Sequence, residues 1–521
     1  KKEVNNRLMK QFGDVKTYDI HEPLDSIRHY GTDCWHNFNE NMRQIQPGQY
    51  DERFKIAAEF GTRMDPAPIF RIMREDPLMR LSIRRMMQLL PHVRADSDFT
   101  ETSAPFETKH TNVGYKWWYN DRVIAENGKT YGQLCLETAE KLTPSELKNW
   151  NVCTAFGRNQ RGKGRLLIAM SRVVNLWFNR LEAREIELYK SVPYFIGYRD
   201  EHDLKEAMIK MLEYAISNDL VAYNWDQSGF DRHINPAWLA LIGAISENAA
   251  DNALGKRIAY LRAVYGLHSW LVNGMTGKVE EIFGRMFSGF IDTNAGDSKV
   301  EGIVFPWALM SLDRLWTQYV SKTLYYMFGQ GDDFISLIRA NAYDPDKLVK
   351  LMDKIGFKLN DKKSAFGIFF LQYRLFRLDG RYIMVYPWTR VLRSMCFTEK
   401  SRGLGKFGWL LSQYQQLNKL IEYPPALDQV VGILLPFDEL AFGADYTVAQ
   451  ILQGIKEEDA KAKQESAGTQ YRSTAEKLFD GDPGKRARFS GDMGVDSSYL
   501  ELVHEAVKRS VSRCRKASQP K

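Results

Sequence analysis

The stretch "YYMFGQGDDFISLI" (Tyr325–Ile338) places Asp332 and Asp333 side by side between two apolar runs. A glycine-containing turn between two strand-like runs predicts a β-hairpin with this acidic pair at its tip. Adjacent carboxylates repel each other, so the pair is costly in a purely structural turn, although a solvated Asp-rich turn is the simpler alternative. Cations that lie against the pair relieve the repulsion, and the stretch therefore indicates a metal site.

A second pair of aspartates lies upstream, in "NWDQSGFDRHINP". Asp226 ends an apolar, strand-like run, Asp231 comes five positions later, and Pro236 suits the first turn of a following helix. Two divalent ions about 3.5 to 4 Å apart need several rigidly held anionic oxygens, which carboxylates on neighbouring strand ends provide. Neither spacing is specific alone, but together the two pairs predict a two-metal site on an antiparallel sheet.

Two glycine-containing loops accompany these carboxylates. In "GRMFSGFIDTNAGDSKVEGIVF", Ser288 and Gly289 form a turn ahead of a helical pattern, which lets backbone N–H groups and small hydroxyls approach a ligand. A plain loop with a helix cap is the alternative. In "FGRNQRGKGRLLIAM", Arg158, Lys163 and Arg165 surround glycines ahead of an apolar strand. This cluster would balance a triphosphate, although a solvated basic loop fits it equally well.

The composition limits the class of protein. The chain has 521 residues, enough for two or three subdomains, and mixes strand-like with helical stretches, which predicts an α+β fold. Its 72 Lys and Arg against 65 Asp and Glu give a net charge of +7, which favours polyanionic partners. The five cysteines form no C-x-x-C pair, so neither a disulfide framework nor a zinc site is indicated. No apolar run approaches the ~18 residues of a membrane span, so no membrane association is expected.

The order of these motifs resembles that of a known family. A basic loop, D-x-x-x-x-D, S-G-x-x-x-T, G-D-D and a Lys-Ser pair follow one another between about residues 158 and 375, like motifs F, A, B, C and D of viral RNA-dependent RNA polymerases. The resemblance implies an α+β, closed right-hand fold with fingers, palm and thumb, an antiparallel palm sheet and an N-terminal segment that bridges fingers and thumb. The implied regions are 1–100 (bridging segment), 101–219 (fingers), 220–240 (palm, motif A), 241–283 (fingers), 284–395 (palm, motifs B to E), 396–479 (thumb) and 480–521 (mobile loop and basic C-terminal tail).

The same resemblance gives roles to the acidic residues. Asp226 and Asp332 would be the principal ligands of two Mg²⁺ ions, with Mn²⁺ as an alternative, and Asp333 would support them. Asp231 would accept hydrogen bonds from the ribose hydroxyls of the incoming nucleotide.

The basic residues would hold the rest of the substrate. Lys163 and Arg165, together with Arg158, would bind the triphosphate. In "NDKKSAFG", Lys363 matches the motif D lysine that protonates the leaving pyrophosphate and would therefore be catalytic. The stretch "TNVGYKWW" (111–118) is similar to motif G, which lies on the template path of the family.

Motif B departs from the family pattern at one position. Ser288, Gly289 and Thr293 match and would bind the nucleotide, but many positive-strand relatives place Asn four residues after the threonine, where this chain has Asp297. An asparagine is instead adjacent to the threonine, as Asn294. The sequence leaves open which of the two completes ribose recognition. An aspartate at this place and a compact length are more similar to polymerases of small segmented double-stranded RNA viruses, the picobirnavirus and partitivirus type, and favour the picobirnavirus type.

The function that the resemblance implies is RNA-dependent RNA polymerase, replicating and transcribing a viral RNA genome by two-metal nucleotidyl transfer. The implied partners are RNA template and product, ribonucleoside triphosphates and a viral capsid protein, in the virion interior or the host cytoplasm. Two alternatives stay open. A reverse transcriptase usually has Tyr-x-Asp-Asp where this chain has Gly331, and it lacks an aspartate at the ribose-sensing place. A basic RNA-packaging protein would bind RNA without incorporating nucleotides.

Overall fold

The structure is a computed structural model that describes the greater part of the chain. The described residues are 63–99, 112–121, 123–160, 163–273, 277–287, 289–316, 326–360, 364–396, 404–436, 442–465, 473–474, 478 and 498–518. The helices are, in chain order, α1 (Ala67–Glu75), α2 (Pro77–Leu89), α3 (Tyr131–Lys141), α4 (Pro144–Leu147), α5 (Arg172–Tyr189), α6 (Glu201–Ser217), α7 (Phe230–His233), α8 (Pro236–Ala249), α9 (Ala253–Leu267), α10 (Thr293–Leu312), α11 (Pro345–Lys354), α12 (Trp388–Cys396), α13 (Lys406–Leu417), α14 (Pro424–Leu434), α15 (Val448–Glu465) and α16 (Ser498–Ala517). The strands are β1 (Val152–Gln160), β2 (Lys163–Met170), β3 (Val221–Trp225), β4 (His268–Asn273), β5 (Val279–Phe283), β6 (Met327–Gln330), β7 (Asp333–Ile338), β8 (Ala365–Phe366), β9 (Phe369–Phe370), β10 (Tyr373–Leu378) and β11 (Arg381–Val385).

The predicted hairpin is present and lies in a four-stranded sheet of order β6-β7-β3-β8. Every pairing in this sheet is antiparallel, as the sequence predicts. Gln330 pairs with Asp333, so Gly331 and Asp332 form a two-residue turn. Gly331 has a φ of +63°, the left-handed conformation that the first position of such turns requires and that glycine adopts without steric cost. The hairpin turn therefore carries the acidic pair out of the edge of the sheet.

Helix α10 packs across the central sheet and forms the middle of the core. Its residues 295–310 are all buried, which is expected of a helix enclosed on every side. The Phe305 ring lies 4.5 Å from the Trp225 ring of β3 and 4.5 Å from the Phe334 ring of β7. On its other side α10 contacts α2, where the Ser82 hydroxyl donates to the Ile303 carbonyl at 2.5 Å. The sheet that carries the acidic turn is thus packed on a helix that cannot move independently of the core.

The basic loop forms the end of a second sheet, of order β2-β1-β4-β5. Strands β1 and β2 are antiparallel, with Arg158 opposite Arg165 and Gln160 opposite Lys163. Strand β1 also pairs with β4 in parallel. Helix α5 follows β2 directly, and its first residue, Arg172, forms a buried ion pair of 2.9 Å with Asp121. Strands β9, β10 and β11 form a third, antiparallel sheet.

The bridging role expected of residues 1–100 falls largely outside the described residues, because residues 1–62 are not among them. The described part packs through α1 and α2 against α8 and α10. The Trp307 indole of α10 donates to the Asp76 carboxylate at 2.9 Å, and the other oxygen of that carboxylate caps the N-terminus of α2. Residues 63–99 therefore belong to the same core as the central sheet.

The C-terminal part of the described chain is mainly helical, as predicted, but one assignment is wrong in part. The sequence assigns 480–521 to a mobile loop and basic tail, whereas Ser498–Ala517 form the packed helix α16. Leu500, Val503, Val507 and Val511 of α16 are all buried. Their spacing of three to four residues is a narrow apolar stripe, which the many charged residues between them concealed in the sequence. No helix in the described ranges is both long and apolar enough to cross a membrane.

The packing of α16 can be tested with two leucines of the same helix. Leu500 is fully buried and Leu502 is 57% exposed. Leu500→Ala should lower the free energy of unfolding by about 2 to 5 kcal/mol because it leaves a cavity, whereas Leu502→Ala should change it by less than about 0.5 kcal/mol. Denaturant titration of both variants measures the difference. Equal, small effects of the two substitutions would contradict the packing of α16.

Candidate active site

The aspartates of the two predicted pairs meet at one end of the central sheet. Trp225, the last residue of β3, pairs with Phe334 of β7, so the next positions along each strand are Asp226 and Asp333. Asp332 precedes Asp333 in the hairpin turn and is exposed, while Asp226 and Asp333 are half-buried. Three carboxylates from two neighbouring strands therefore leave the sheet at the same edge, as the sequence predicts for a metal site.

The backbone of Asp226 is held by the segment that follows α11. Its N–H donates to the Ser364 hydroxyl at 3.1 Å, and its carbonyl accepts from the Asn360 N–H at 2.8 Å. The Ser364 hydroxyl in turn donates to the Asn360 carbonyl at 2.9 Å. Ser364 is the serine of the predicted Lys-Ser pair, and Lys363 itself lies outside the described residues. The fold thus brings the backbone next to Lys363 against the first metal-ligand candidate.

The first two turns of α10 present a polar face to the acidic turn. Asn294, Asp297, Ser298 and Glu301 follow the three-to-four-residue spacing that places side chains on one face of a helix. The Gly331 N–H donates to the Ser298 hydroxyl at 2.8 Å, and a Cβ atom at position 331 would lie only 2.9 Å from Asn294 Oδ1. The hairpin turn therefore rests directly on α10, and its positive φ favours a glycine.

Glu301 lies behind the three strand-end aspartates. Its side chain is fully buried, and neither carboxylate oxygen makes a hydrogen bond of normal geometry. Burial raises the pKa of the Glu301 carboxyl well above its usual range, and the charges of Asp332, Asp333 and Asp226 raise that pKa further, while the nearby amide of Gln227 opposes them. No sequence motif includes Glu301, although its spacing of four residues from Asp297 on the same helix indicates it.

Asp297 lies beside Asp231, the residue expected to sense the ribose. Asp297 is only 2% exposed. Burial raises the pKa of the Asp297 carboxyl well above its usual range, and the charges of Asp231, Asp332 and Glu301 and a side-chain hydrogen bond with Asp231 add to this increase. The raised pKa favours the neutral carboxyl form of Asp297, the form that can donate its proton to the Asp231 carboxylate. The amide of Asn294 instead donates to the Tyr198 hydroxyl at 3.1 Å.

The loop before α10 (residues 289–292, called the glycine loop below) and the first residue of α10 form hydrogen bonds within the protein. The Gly289 N–H donates to the Ile168 carbonyl of β2 at 2.8 Å, and a Cβ atom on Gly289 would lie 2.4 Å from that oxygen. The Thr293 hydroxyl donates to the Phe287 carbonyl at 2.7 Å. Position 289 thus requires glycine because β2 approaches it closely, rather than because a ligand does. Ser288 lies outside the described residues.

The close approach at Gly289 joins this loop to the β1–β2 hairpin, called the basic hairpin because it carries Arg158, Lys163 and Arg165. Strand β2 begins at Lys163, includes Arg165 and reaches Ala169, which pairs with Gly289 in a parallel bridge. The backbone of the Arg158, Lys163 and Arg165 cluster is therefore continuous with a strand that contacts the N-terminal side of α10. The sequence predicted each loop separately, and the fold connects them.

A separate group of buried acids lies away from the strand-end aspartates. Glu182, Glu185 and Asp292 have ligand atoms that all lie within 4.8 Å of one another, and they are the only such set of three or more within the described ranges. Arg262 contacts Glu182 and Glu185 at 2.7 Å each, so this group already has a cationic partner. The oxygens of Asp226, Asp332 and Asp333 do not all converge within this distance. No sequence motif indicated the buried group.

Comparison with known proteins adds the overall architecture. No protein-family model matches the chain, and no curated protein sequence matches it. A solved structure does: the crystal structure of the RNA-dependent RNA polymerase of a human picobirnavirus aligns with a TM-score of 0.61 over 90% of this chain and 84% of that chain, at 15% identity. The chain has the fold of a picobirnavirus RNA-dependent RNA polymerase.

A second structure agrees. The insertion loop deletion mutant of the human picobirnavirus polymerase aligns with a TM-score of 0.57 over 88% of this chain and 95% of that chain, also at 15% identity. The resemblance stated from the motifs is therefore confirmed at the level of the fold, and its favoured type, the picobirnavirus polymerase, is among the matching structures.

The charge state of Glu301 gives a stability prediction. Since its folded-state pKa is raised, the carboxyl costs stability as pH rises above the unfolded value near 4.5 and through the folded pKa. Glu301→Gln removes this cost. The variant should unfold at a temperature several degrees above wild type at pH 8 without divalent metal, and the gain should shrink towards pH 4.5. Thermal denaturation across this pH range measures it, and an equal or lower midpoint at pH 8 would contradict the prediction.

Proposed function

We propose that this chain is an RNA-dependent RNA polymerase that joins ribonucleoside triphosphates in the order given by an RNA template. The observation that carries the proposal is the placement of Asp226, Asp332 and Asp333 at one sheet edge of a picobirnavirus-polymerase fold. The division into fingers, palm and thumb, with a closed right-hand shape, belongs to the same proposal. So does the role of "TNVGYKWW" (111–118) on the template path.

The strand-end carboxylates suit divalent cations. Hard oxygen ligands are what Mg²⁺ binds, and the pKa of Glu301, which burial raises most, is raised further by the negative charges of Asp332, Asp333 and Asp226. When bound, two Mg²⁺ ions, or Mn²⁺, supply the charge that lowers the barrier to in-line attack of a 3′-hydroxyl on an α-phosphate. Asp226 and Asp332 would hold them, with Asp333 in support. The sheet and its hairpin turn fix the backbone of these residues, and their side chains, whose oxygens do not all converge, would turn towards the ions.

Asp231 would accept a hydrogen bond from the ribose 2′-hydroxyl. The raised pKa of its partner Asp297 favours a neutral carboxyl that donates to Asp231, which would leave the negative charge of the pair on Asp231. A deoxynucleotide would leave this acceptor unpaired in a partly dry site, which disfavours it. Ser298 supports the arrangement by binding the Gly331 N–H from the same helix face.

The basic hairpin would bind the triphosphate. Arg158, Lys163 and Arg165 lie near the turn of β1 and β2, at the opposite end of β2 from its bridge to Gly289. Guanidinium and ammonium groups compensate phosphate charge and orient the leaving group. Lys363 would protonate the departing pyrophosphate, from a segment whose next residue, Ser364, binds the Asp226 backbone.

In its biological setting, the enzyme would replicate and transcribe a viral RNA genome in the virion interior or the host cytoplasm. RNA template and product would be its partners, with a viral capsid protein as a further one. The reverse-transcriptase alternative is disfavoured by Gly331 and by the Asp231–Asp297 pair, because a deoxynucleotide polymerase has no use for an acceptor aimed at a 2′-hydroxyl. The packaging-protein alternative predicts RNA binding without incorporation.

The first test removes a proposed metal ligand. Asp332→Ala and Asp226→Ala should each abolish incorporation of labelled ribonucleotides on a single-stranded RNA template with Mg²⁺, while RNA binding and the thermal midpoint stay near wild type. The matched control is Asp353→Ala, an exposed aspartate on α11, which should incorporate normally. Incorporation by Asp332→Ala at the wild-type rate would sink the assignment of the site.

The second test separates Asp297 from Asn294 in sugar selection. Asp231→Ala and Asp297→Ala should reduce the preference for ribonucleotides over deoxynucleotides by about tenfold or more, as expected when a buried hydrogen-bond partner is lost. Asp297→Asn should retain most of the preference because an amide also donates to Asp231. Asn294→Ala should retain it because that side chain bonds to Tyr198. The measurement is kcat/KM for matched ribo- and deoxynucleotides, and a wild-type enzyme indifferent to the sugar would support the reverse-transcriptase alternative.

A further inference from the structure

A buried ionic cluster connects three helices to the glycine loop. We define it as Glu182 and Glu185 of α5, Arg262 of α9, Asp292 at the end of the loop and Lys299 of α10. Their side chains are at most 3% exposed. Arg262 lies 2.7 Å from Glu182 and from Glu185, and Lys299 lies 3.5 Å from Glu185.

The cluster balances its charges without a metal ion. Burial raises the pKa of Glu182 well above its usual range, with Asp292 and Glu185 adding to the increase. Burial acts in the same direction on Glu185, but the charges of Arg262 and Lys299 overcome it and lower its pKa to about 2. Three carboxyl groups thus face the two cations Arg262 and Lys299, and the raised pKa of Glu182 favours the neutral form of one of them. A divalent ion would meet the repulsion of both cations, so this acidic group is not a metal site.

Burying these ionic groups costs desolvation free energy that apolar side chains would not cost. Apolar side chains of similar volume often give equal or greater stability, so a buried ionic group is better evidence of a fixed geometry than of stability. The member whose geometry matters here is Asp292, which immediately precedes Thr293 and α10. Its carbonyl accepts from the Gly296 N–H at 2.6 Å, one residue before Asp297.

Asp292 is held at a distance that leaves room for water. Its Oδ1 atom lies 3.5 Å from Arg262 and 3.8 Å from Lys299, beyond direct hydrogen bonding, and neither Oδ1 nor Arg262 Nε has a hydrogen-bond partner. Both residues line a cavity of about 10 Å³ together with Ser246, whose hydroxyl accepts from Lys299 at 3.0 Å. This volume accommodates one water molecule, which would bridge the two unpartnered atoms.

The loop is therefore fixed at both ends. Gly289 binds β2 at its start, and Asp292 enters the ionic cluster at its end. We propose that Arg262 and Lys299 are positioning residues for nucleotide selection, which act through Asp292 to hold this loop and the first turn of α10 that carries Asp297. The proposal rests on the proposed polymerase function, because nucleotide selection is its functional consequence.

The Asp292→Asn variant tests whether the cluster positions the loop, separately from whether it stabilises the fold. In Asp292→Asn the loop loses its ionic anchor, and loss of the Asp292 charge lowers the pKa of Glu182, which favours the ionised form of Glu182 and offsets part of the lost negative charge. The variant should therefore fold with a thermal midpoint near wild type. Glu182→Gln is the matched control, because it replaces a carboxyl of the same cluster with an amide of the same shape at a residue outside the loop.

The experiment measures KM and kcat for a ribonucleotide, the preference over the matching deoxynucleotide, and hydrogen exchange of a peptide that spans residues 286–297. Asp292→Asn should raise KM and lower the sugar preference, each by about tenfold or more, as small displacements of positioned groups do. Amide exchange at the start of α10 should accelerate in this variant and not in Glu182→Gln. Wild-type kinetics and exchange in Asp292→Asn would overturn the proposal, as would equal losses in Glu182→Gln.

Hydrogen exchange tests the anchoring of the loop independently of polymerase activity. A wild-type protein that incorporates no nucleotide under any metal condition would overturn the polymerase assignment and, with it, the link to nucleotide selection. Faster exchange confined to Asp292→Asn would in that case still support the anchoring of the loop by the cluster. Unchanged exchange would overturn the anchoring itself.

Discussion

The hydrogen bond from the Gly331 N–H to the Ser298 hydroxyl joins the two parts on which the site depends. One partner is the hairpin turn that carries Asp332 and leads into Asp333. The other is the polar face of α10, a helix buried from residue 295 to 310. Because the hairpin pairs with β3, this contact and the packing of Phe305 against Trp225 and Phe334 together set the position of Asp226 relative to the helix. The acidic edge of the sheet and the helix that would select the sugar therefore have one fixed relation.

Negative charge is distributed unevenly around this junction, and the distribution separates possible roles. Buried acids that face other acids, such as Asp297 and Glu301, are driven towards their neutral forms. Glu185, which faces Arg262 and Lys299, keeps its charge. A buried carboxyl in this region thus favours its neutral form, as in Asp297 and Glu301, or stays ionised beside cations, as in Glu185, according to its neighbours. This explains how so many carboxylates can share a core without unfolding it.

Much of the fold could be predicted from local pattern. The G-D-D turn between apolar runs predicted the hairpin, and the apolar run ending at Asp226 predicted its partner strand, since both depend on short-range chemistry. The buried ionic cluster could not be predicted, because its members are far apart in the sequence and pair only through tertiary packing. Helix α16 was missed because charged residues outnumber its narrow apolar stripe. The different partners of Asn294 and Asp297, Tyr198 and Asp231, could not be predicted either, because they depend on which elements pack against α10.

The burial of α10 on all sides limits how the substrate preference of such a site can evolve. A helix exposed on one face can shift to accept a new substrate at little cost, but this one would have to disturb Phe305 and its contacts with two strands of the sheet. Variation in substrate preference is therefore channelled into the loop before the helix and into the few polar side chains of its first turns. The buried core therefore tolerates substitution of the functional side chains but resists movement of the backbone that carries them.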